Sequence, residues 1–311
     1  MIVNDENNRK IAYDVLKLRL AQIIVNEKYK AGKFKIPIHL ALGHEAIAVA
    51  VNYVMEPNDL LLLSHRNIAY NLARLGSLKP IIDEYFLKPT GIMNGKMGSM
   101  NLINPKKGIV YSSSVLGNNF AVAVGISMAQ KIRKQNGLTI VLGGDGAIEE
   151  GSFHESLLMS KSLQSSILFI IENNEWSMST CIYERRHSIN LEKLTSAYDI
   201  KYEKLVGNDP YNYIENLTKL KKQALEDQTP ICVEVAVTTL GDWKLKTPEF
   251  PDGKFVNYHA GPTPSIKIED WPKPIKNSDE DPMYVLNKYY DQLELQKMSE
   301  IVRNDLEEEL K

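Results

Sequence analysis

The chain has 311 residues, 37 Lys plus Arg against 39 Asp plus Glu, 43% hydrophobic residues and two cysteines. A net charge of -2 without a long basic run excludes nucleic acid or anionic lipid as the main partner, and no apolar stretch approaches the roughly 20 residues that span a bilayer. Cys181 and Cys232 are too few for a disulfide scaffold, and the start Met1-Ile2-Val3-Asn4-Asp5 lacks the charged and apolar regions of a secretory signal, so a cytoplasmic chain is expected.

The first predicted element is a helix over 10–31, where Ile11, Val15, Leu18, Ile23 and Ile24 recur at near-helical spacing before the stop at Gly32. A second apolar, Ala-rich segment lies between Leu40 and Val54 around Gly43-His44-Glu45, and Asp59 leads into Leu60-Leu61-Leu62-Leu63, a short buried strand. Residues 91–114, rich in glycine and serine, show neither period and are expected to form a long loop. Phe120 to Lys134 is predicted helical, with cations at its carboxyl end and Gly137 beyond. Short apolar runs at Ile140-Val141-Leu142, Ile167 to Ile171 and Ile231 to Val237 alternate with helical stretches 151–163 and 210–226. This alternation predicts an α/β fold with a mostly parallel sheet and helices on both faces. The prolines at 248, 251, 262, 264, 272 and 274 predict an extended surface arm over 241–277 without regular structure, anchored by Trp243 and Trp271. A helical pattern resumes over 278–311, with Pro282 in the first turn and Val285, Leu286, Tyr289, Leu293 and Ile301 down one side. The organisation is thus 1–240, arm 241–277 and helical extension 278–311.

The chemistry is concentrated between Ile140 and Thr180. One buried strand ends in Gly143-Gly144-Asp145-Gly146 and the next in Glu172-Asn173-Asn174, so both polar clusters sit at carboxyl ends of strands, where open α/β sheets bind ligands. An ionised Asp, an Asn amide oxygen and a backbone carbonyl are hard oxygen ligands suited to magnesium, which leaves positions for phosphate oxygens and water. Gly144 and Gly146 let backbone approach a diphosphate closely, and the start of helix 151–163 lends its positive end. A lone Gly-Asp-Gly more often makes a tight turn; the second strand end gives this one its meaning.

Gly144-Asp145-Gly146, Glu150-Gly151, Phe153-His154-Glu155 and Glu172-Asn173-Asn174 together resemble the thiamine-diphosphate motif in the alpha subunits of 2-oxo acid dehydrogenase first components, the pyruvate, acetoin and branched-chain type. Ile38-His39-Leu40, Glu45-Ala46, Ser64-His65-Arg66, Gly95 to Met100 and Gly207-Asn208-Asp209 extend the likeness over most of the chain. The resemblance implies a thiamine-diphosphate-binding fold for 1–240. It implies that Asp145, Asn174 and the main-chain carbonyl of Trp176 hold magnesium, and that Gly144, Gly146, Ala147, His65 and Arg66 lie along the diphosphate. Ser114 and Leu116 would meet the aminopyrimidine, and His39 would lie close to the reactive carbon. A beta subunit carrying the pyrimidine-binding module is the expected partner, as two alpha and two beta chains, with a small 2-oxo acid as substrate and a lipoyl acyltransferase as acyl acceptor.

The sequence also departs from the family pattern. Gly43-His44-Glu45-Ala46 replaces Gly-Gln-Glu-Ala, Met97-Gly98-Ser99-Met100-Asn101 replaces Gly-Gly-Ser-Met-His, and Leu240-Gly241-Asp242-Trp243 stands where a His-Gly-His-Ser loop is usual. His259, before Gly261-Pro262, is the candidate replacement for the loop histidine; it also fits a plain surface histidine on the arm. His39 by itself reads as a capping or core histidine. The cluster Arg185-Arg186-His187 is expected to be a solvated loop. Two further readings stay open: transfer of an acyl or two-carbon unit to an aldehyde or sugar acceptor, and a non-catalytic scaffold.

Overall fold

A computed structural model of the chain describes residues 6–311. The amino-terminal pentapeptide, on which the secretory-signal argument rests, lies outside the described residues. The chain runs through α1 (Glu6–Lys30), α2 (Glu45–Val54), β1 (Leu60–Ser64), α3 (Ile68–Leu75), α4 (Lys79–Tyr85), β2 (Ile109–Ser113) and α5 (Asn118–Ile132). It continues through β3 (Thr139–Gly144), α6 (Gly151–Ser162), β4 (Ile167–Asn173), β5 (Trp176–Ser177), β6 (Thr180–Cys181), α7 (Ile182–Arg185), α8 (Leu191–Ser196) and β7 (Lys201–Leu205). It ends with α9 (Pro210–Glu226), β8 (Ile231–Ala236), β9 (Asp242–Thr247), β10 (Phe250–Asn257), α10 (Pro282–Leu286) and α11 (Gln292–Glu309). No helix among the described residues is long and apolar enough to cross a membrane.

Six strands form one parallel sheet in the order β2-β1-β3-β4-β8-β7. Successive side chains of a strand point to opposite faces, and here both faces are dry. Leu61, Leu63, Ile140, Leu142, Leu168, Ile170 and Val233 pack with α1, α2, α3 and α9. Their neighbours Leu62, Val141, Phe169, Ile171 and Cys232 pack with α5 and α6 on the other side. Continuous apolar runs, rather than alternating ones, follow from this double burial.

Several ends are written into the sequence. Asp209 accepts from the N–H groups of Tyr211 and Asn212 ahead of Pro210, and Asp281 accepts from Met283 N–H ahead of Pro282. Asp291 and Glu294 form a reciprocal capping box at the start of α11.

The structure corrects four expectations. Strand β2 lies within the segment 91–114, and the rest of that loop is ordered around a buried carboxylate: Glu84, on α4, accepts from the N–H groups of Met93, Gly95, Met97 and Gly98. Helices α3 and α4 and strand β7 were not anticipated. The arm contains an antiparallel hairpin, β9 with β10; Pro248 falls in its turn and Pro251 where its register slips, so neither removes a needed hydrogen bond. On α11 the buried side carries Met298, Val302 and Leu306, whereas Leu293 and Ile301 are exposed. Tyr258, Ile266 and Trp271 of the arm, and Met283, Leu286 and Val302 beyond it, join the same buried cluster as α1 and α2.

Candidate functional site

The strand order reverses between β1 and β3: from β1 the chain adds β2 on one side, then crosses to β3 and adds β4 on the other. A crevice at such a switch point, outside the carboxyl ends of the strands, is where this architecture holds ligands. The loops leaving β1, β2, β3 and β4 there enclose a cavity of about 230 Å³. His39, His65, Arg66, Ser114, Leu116, Gly144, Asp145, Gly146, Ala147, Asn174, Trp176 and His259 all line it. The structure therefore brings together every residue that the sequence offered for cofactor, metal or catalysis.

Asp145 follows the last residue of β3 and is buried. Burial pushes its carboxyl up to about 6, against the opposing pull of Arg185 and Arg186. Arg185 donates to Asp145 Oδ2 at 2.5 Å and to Glu149 at 2.8 Å, and Arg186 donates to the same Glu149 oxygen at 2.6 Å. The basic cluster is thus not a solvated loop. Its two guanidinium groups fold back because a buried carboxylate needs a cation beside it. Gly146 is cramped, since a Cβ there would stand 2.6 Å from Ser177 Oγ, whereas one on Gly144 would meet only Glu172 O at 3.9 Å. Gly117, opening α5 at φ 72°, combines a left-handed backbone with close approach to Glu150 and Ser152.

Asn174 is oriented by a chain of hydrogen bonds that begins deep in the core. Tyr70 donates to Glu172 Oε1 at 2.8 Å, and His44 Nδ1 meets the same oxygen at 2.9 Å. His44 Nε2 lies 2.9 Å from Thr239 Oγ1, which accepts from Asn174 Nδ2 at 2.8 Å. With Nδ1–H donating to the glutamate, His44 Nε2 accepts from the threonine, and every donor in the series has one acceptor. Asn174 Oδ1 is left facing the other way, where it accepts from Trp176 N–H at 3.1 Å and keeps a lone pair.

Arg66 is buried and burial lowers its pKa. It donates to Leu40 O at 2.5 Å and to His259 O at 3.2 Å, and lies over the Tyr258 ring at 5.7 Å. It therefore fastens the loop after β1 to the two chain segments that carry His39 and His259. Those two imidazoles and His65 converge in the cavity wall, ring centroids 4.7 to 5.5 Å apart. Burial, with the nearby Arg66 and the other imidazoles, pushes His39 down to about 2, His65 to about 3 and His259 to about 4, so all three are neutral at pH 7. His39 Nδ1 and His65 Nε2 are buried without a partner. Leaving such an atom unsatisfied costs about 1–3 kcal/mol, which marks this wall as built for something to bind.

Oxygen donors at Asp145 and Asn174, with open space beside the Gly144 backbone, fit a magnesium-bound diphosphate.

Comparison with known proteins gives the family. The family described as dehydrogenase E1 component matches residues 15–239. This chain belongs to that family. It is a divergent member of the thiamine-diphosphate-dependent 2-oxo acid dehydrogenase alpha subunits. The alpha subunit of pyruvate dehydrogenase E1 from Chaetomium thermophilum is 32% identical over 178 residues, 57% of this chain and 43% of that protein. Its counterpart in Rickettsia bellii is 27% identical over 222 residues, covering 71% and 68%. The alpha subunit of acetoin:2,6-dichlorophenolindophenol oxidoreductase from Bacillus subtilis is 27% identical over 195 residues, covering 63% and 59%. Among solved structures, transketolases from Pichia stipitis and Campylobacter jejuni share the fold, with TM-scores of 0.61 and 0.59 at 16% identity. They cover 97% and 98% of this chain and less than half of their own, 46% and 48%.

The E1-type site contains groups that the sequence did not disclose. Glu172 and His44 were visible, one as part of a motif and the other as a departure from the family, yet neither carried a role. Thr239 gave no signal, because a threonine at the end of an apolar run reads as strand. Arg185 was visible only as charge.

Proposed function

We propose that the chain is the alpha subunit of a 2-oxo acid dehydrogenase-like enzyme that works with a beta chain carrying the pyrimidine-binding module. The observation that carries this reading is the meeting of Asp145 and Asn174 in one cavity at the carboxyl ends of β3 and β4. In this reading Asp145, Asn174 and the Trp176 carbonyl hold magnesium, and Gly144 to Ala147, His65 and Arg66 line the diphosphate. Ser114 and Leu116 lie beside the aminopyrimidine. Bound there, thiamine diphosphate supplies the carbon nucleophile and electron sink that decarboxylation of a 2-oxo acid requires. His39, buried, and His259, partly buried, line the same cavity; as neutral imidazoles each can donate an N–H hydrogen bond to the substrate oxygen or accept a proton from it. Acyl transfer to a lipoyl partner completes the proposed sequence.

The mouth of the cavity supports a covering partner. Val115, Leu116 and Met178 line it and are 65%, 47% and 65% exposed. Met128, Ile132, Leu158 and Met159 are further exposed apolar side chains on the packed pair α5 and α6.

One observation favours a second reading. The chain reaches His259 only after the β9–β10 hairpin, which occupies the place of the usual His-Gly-His-Ser loop. A rewritten wall suits transfer of an acyl or two-carbon unit to an aldehyde or sugar acceptor. The test begins with calorimetry of thiamine diphosphate and magnesium binding to the complex with the beta chain; wild type is expected to bind and Asp145→Ala to lose binding. No cofactor binding by the wild-type complex, together with unchanged activity in the Asp145→Ala complex, would leave only a scaffold. The complex is then given pyruvate with a lipoyl domain, and separately with aldehydes. Acyl-lipoyl product supports dehydrogenase chemistry; a carbon-carbon ligation product supports the second reading.

A further inference from the structure

We propose that His39, His65 and His259 form a binding site for a borderline divalent transition-metal ion such as Zn²⁺, distinct from the oxygen donors at Asp145 and Asn174. One ligand atom from each ring lies within 4.8 Å of the others. The ring centroids are 4.7, 4.9 and 5.5 Å apart. Three imidazoles around one tetrahedral zinc, each bonded at about 2.0–2.1 Å, have centroids about 5.2 Å apart. The rings therefore need to turn in place, not to travel, in order to share an ion. Two of them already present a nitrogen that is buried and has no partner, His39 Nδ1 and His65 Nε2.

The donor set decides the metal. It is all nitrogen and contains no carboxylate, which suits Zn²⁺, Co²⁺, Ni²⁺ or Cu²⁺ and not magnesium. The scaffold is held in place beforehand. Arg66, next to His65, bonds Leu40 O next to His39 and the carbonyl of His259 itself. The Tyr258 hydroxyl lies within 3.3 Å of Ile38 O, 3.2 Å of Leu40 N and 2.7 Å of Gly261 O, so one side chain ties both flanks of His39 to the segment bearing His259. Three protein ligands leave a fourth position for water or an oxygen of a bound molecule. A ring whose lone pair is on the metal cannot pass a proton through it, so occupancy of this site and proton transfer by His39 or His259 exclude each other.

The inference does not depend on the cofactor, and its test is separate. The tag-free full-length chain is titrated with Co²⁺, whose visible absorption reports nitrogen coordination. The expected result is a visible spectrum saturating at one ion per chain, displaced by Zn²⁺ and unaffected by excess Mg²⁺. Binding should weaken at least about tenfold in His65→Ala and in His259→Ala, both checked for native circular dichroism, and persist in Asp145→Asn. A folded wild-type chain without that spectrum, or a spectrum unchanged by both histidine substitutions, overturns the site. Calorimetry with thiamine diphosphate and magnesium on the wild-type complex with the beta chain separates the two readings. A wild-type chain that binds no cobalt, in a complex that binds the cofactor, removes the histidine site alone; a chain that binds cobalt, in a complex that binds no cofactor, supports the site while removing the cofactor reading.

Discussion

Asn174 can offer an oxygen to a metal only if its amide is turned one way, and the group that turns it is Thr239, 65 positions along the chain. Thr239→Val removes the acceptor for Asn174 Nδ2 and the donor for His44 Nε2. It is expected to weaken binding of magnesium thiamine diphosphate by about 10–100-fold, as loss of a ligand's supporting hydrogen bond does, and to destabilise the chain by about 1–3 kcal/mol. Isothermal calorimetry and urea unfolding read the two effects separately; unchanged affinity would show that Asn174 is oriented otherwise. A second buried network joins three helices. Arg19 on α1 donates to Glu45 on α2 at 2.7 Å and to Asp281, the cap of α10, at 2.8 Å, and all three are buried. Arg19→Met leaves two carboxylates without their cation and should cost about 3–5 kcal/mol at neutral pH. Burial pushes Asp281 up, but Arg19 and the N–H groups of Lys276 and Met283 outweigh it and hold the carboxyl below its usual range. Its stabilising contribution is thus complete above the unfolded value of about 3.9 and is lost as pH falls through the lower folded value. In Arg19→Met, Asp281 loses its cation and takes up a proton at higher pH, so the deficit between variant and wild type should shrink on acidification. Denaturation measured from pH 7 to pH 4 checks the sign.

At the scale of elements, the sequence disclosed what is buried on both sides and missed what is half exposed. Central strands β1, β3, β4 and β8 are short runs of Leu, Ile and Val, whereas β2 and β7 close the two edges of the sheet. An edge strand has one free side, and Lys201-Tyr202-Glu203-Lys204-Leu205 needs only Leu205 fully inside. The hairpin β9–β10 escaped for a related reason: it lies outside the sheet, and its prolines mark a turn and a register slip rather than the absence of strands. It nonetheless reaches the site, since Phe255 meets Trp176 edge-on with ring centroids 6.0 Å apart. In α11 the helical period was correct and its phase was not, because charged and apolar residues are interspersed on both sides. The phase is testable with adjacent positions. Val302→Asp, in a fully buried position against the α1 cluster, should cost at least about 3 kcal/mol, whereas Ile301→Asp, at 54% exposure, should stay within about 0.5 kcal/mol. Equal effects in thermal unfolding would refute the observed packing of the helix.

For the molecule as a whole, the proposed function requires a second chain at the open mouth of the cavity. Ile132 and Leu158 are 70% and 55% exposed, so Ile132→Glu with Leu158→Glu should leave the unfolding midpoint of the chain nearly unchanged and abolish co-elution with the beta chain in gel filtration. A variant that still co-elutes places the partner elsewhere. The sequence by itself determined the alternation of helices and buried strands, the family pattern, and the placement of Asp145 and Asn174 at strand ends. These are properties of local periodicity and of residues adjacent along the chain. Only the tertiary structure decided that Arg185 pairs with Asp145, that Thr239 turns Asn174, and that His39, His65 and His259 share a wall. Each of those contacts joins residues tens to hundreds of positions apart. Their proximity is set by strand order and by a folded-back arm, which neither spacing nor composition encodes.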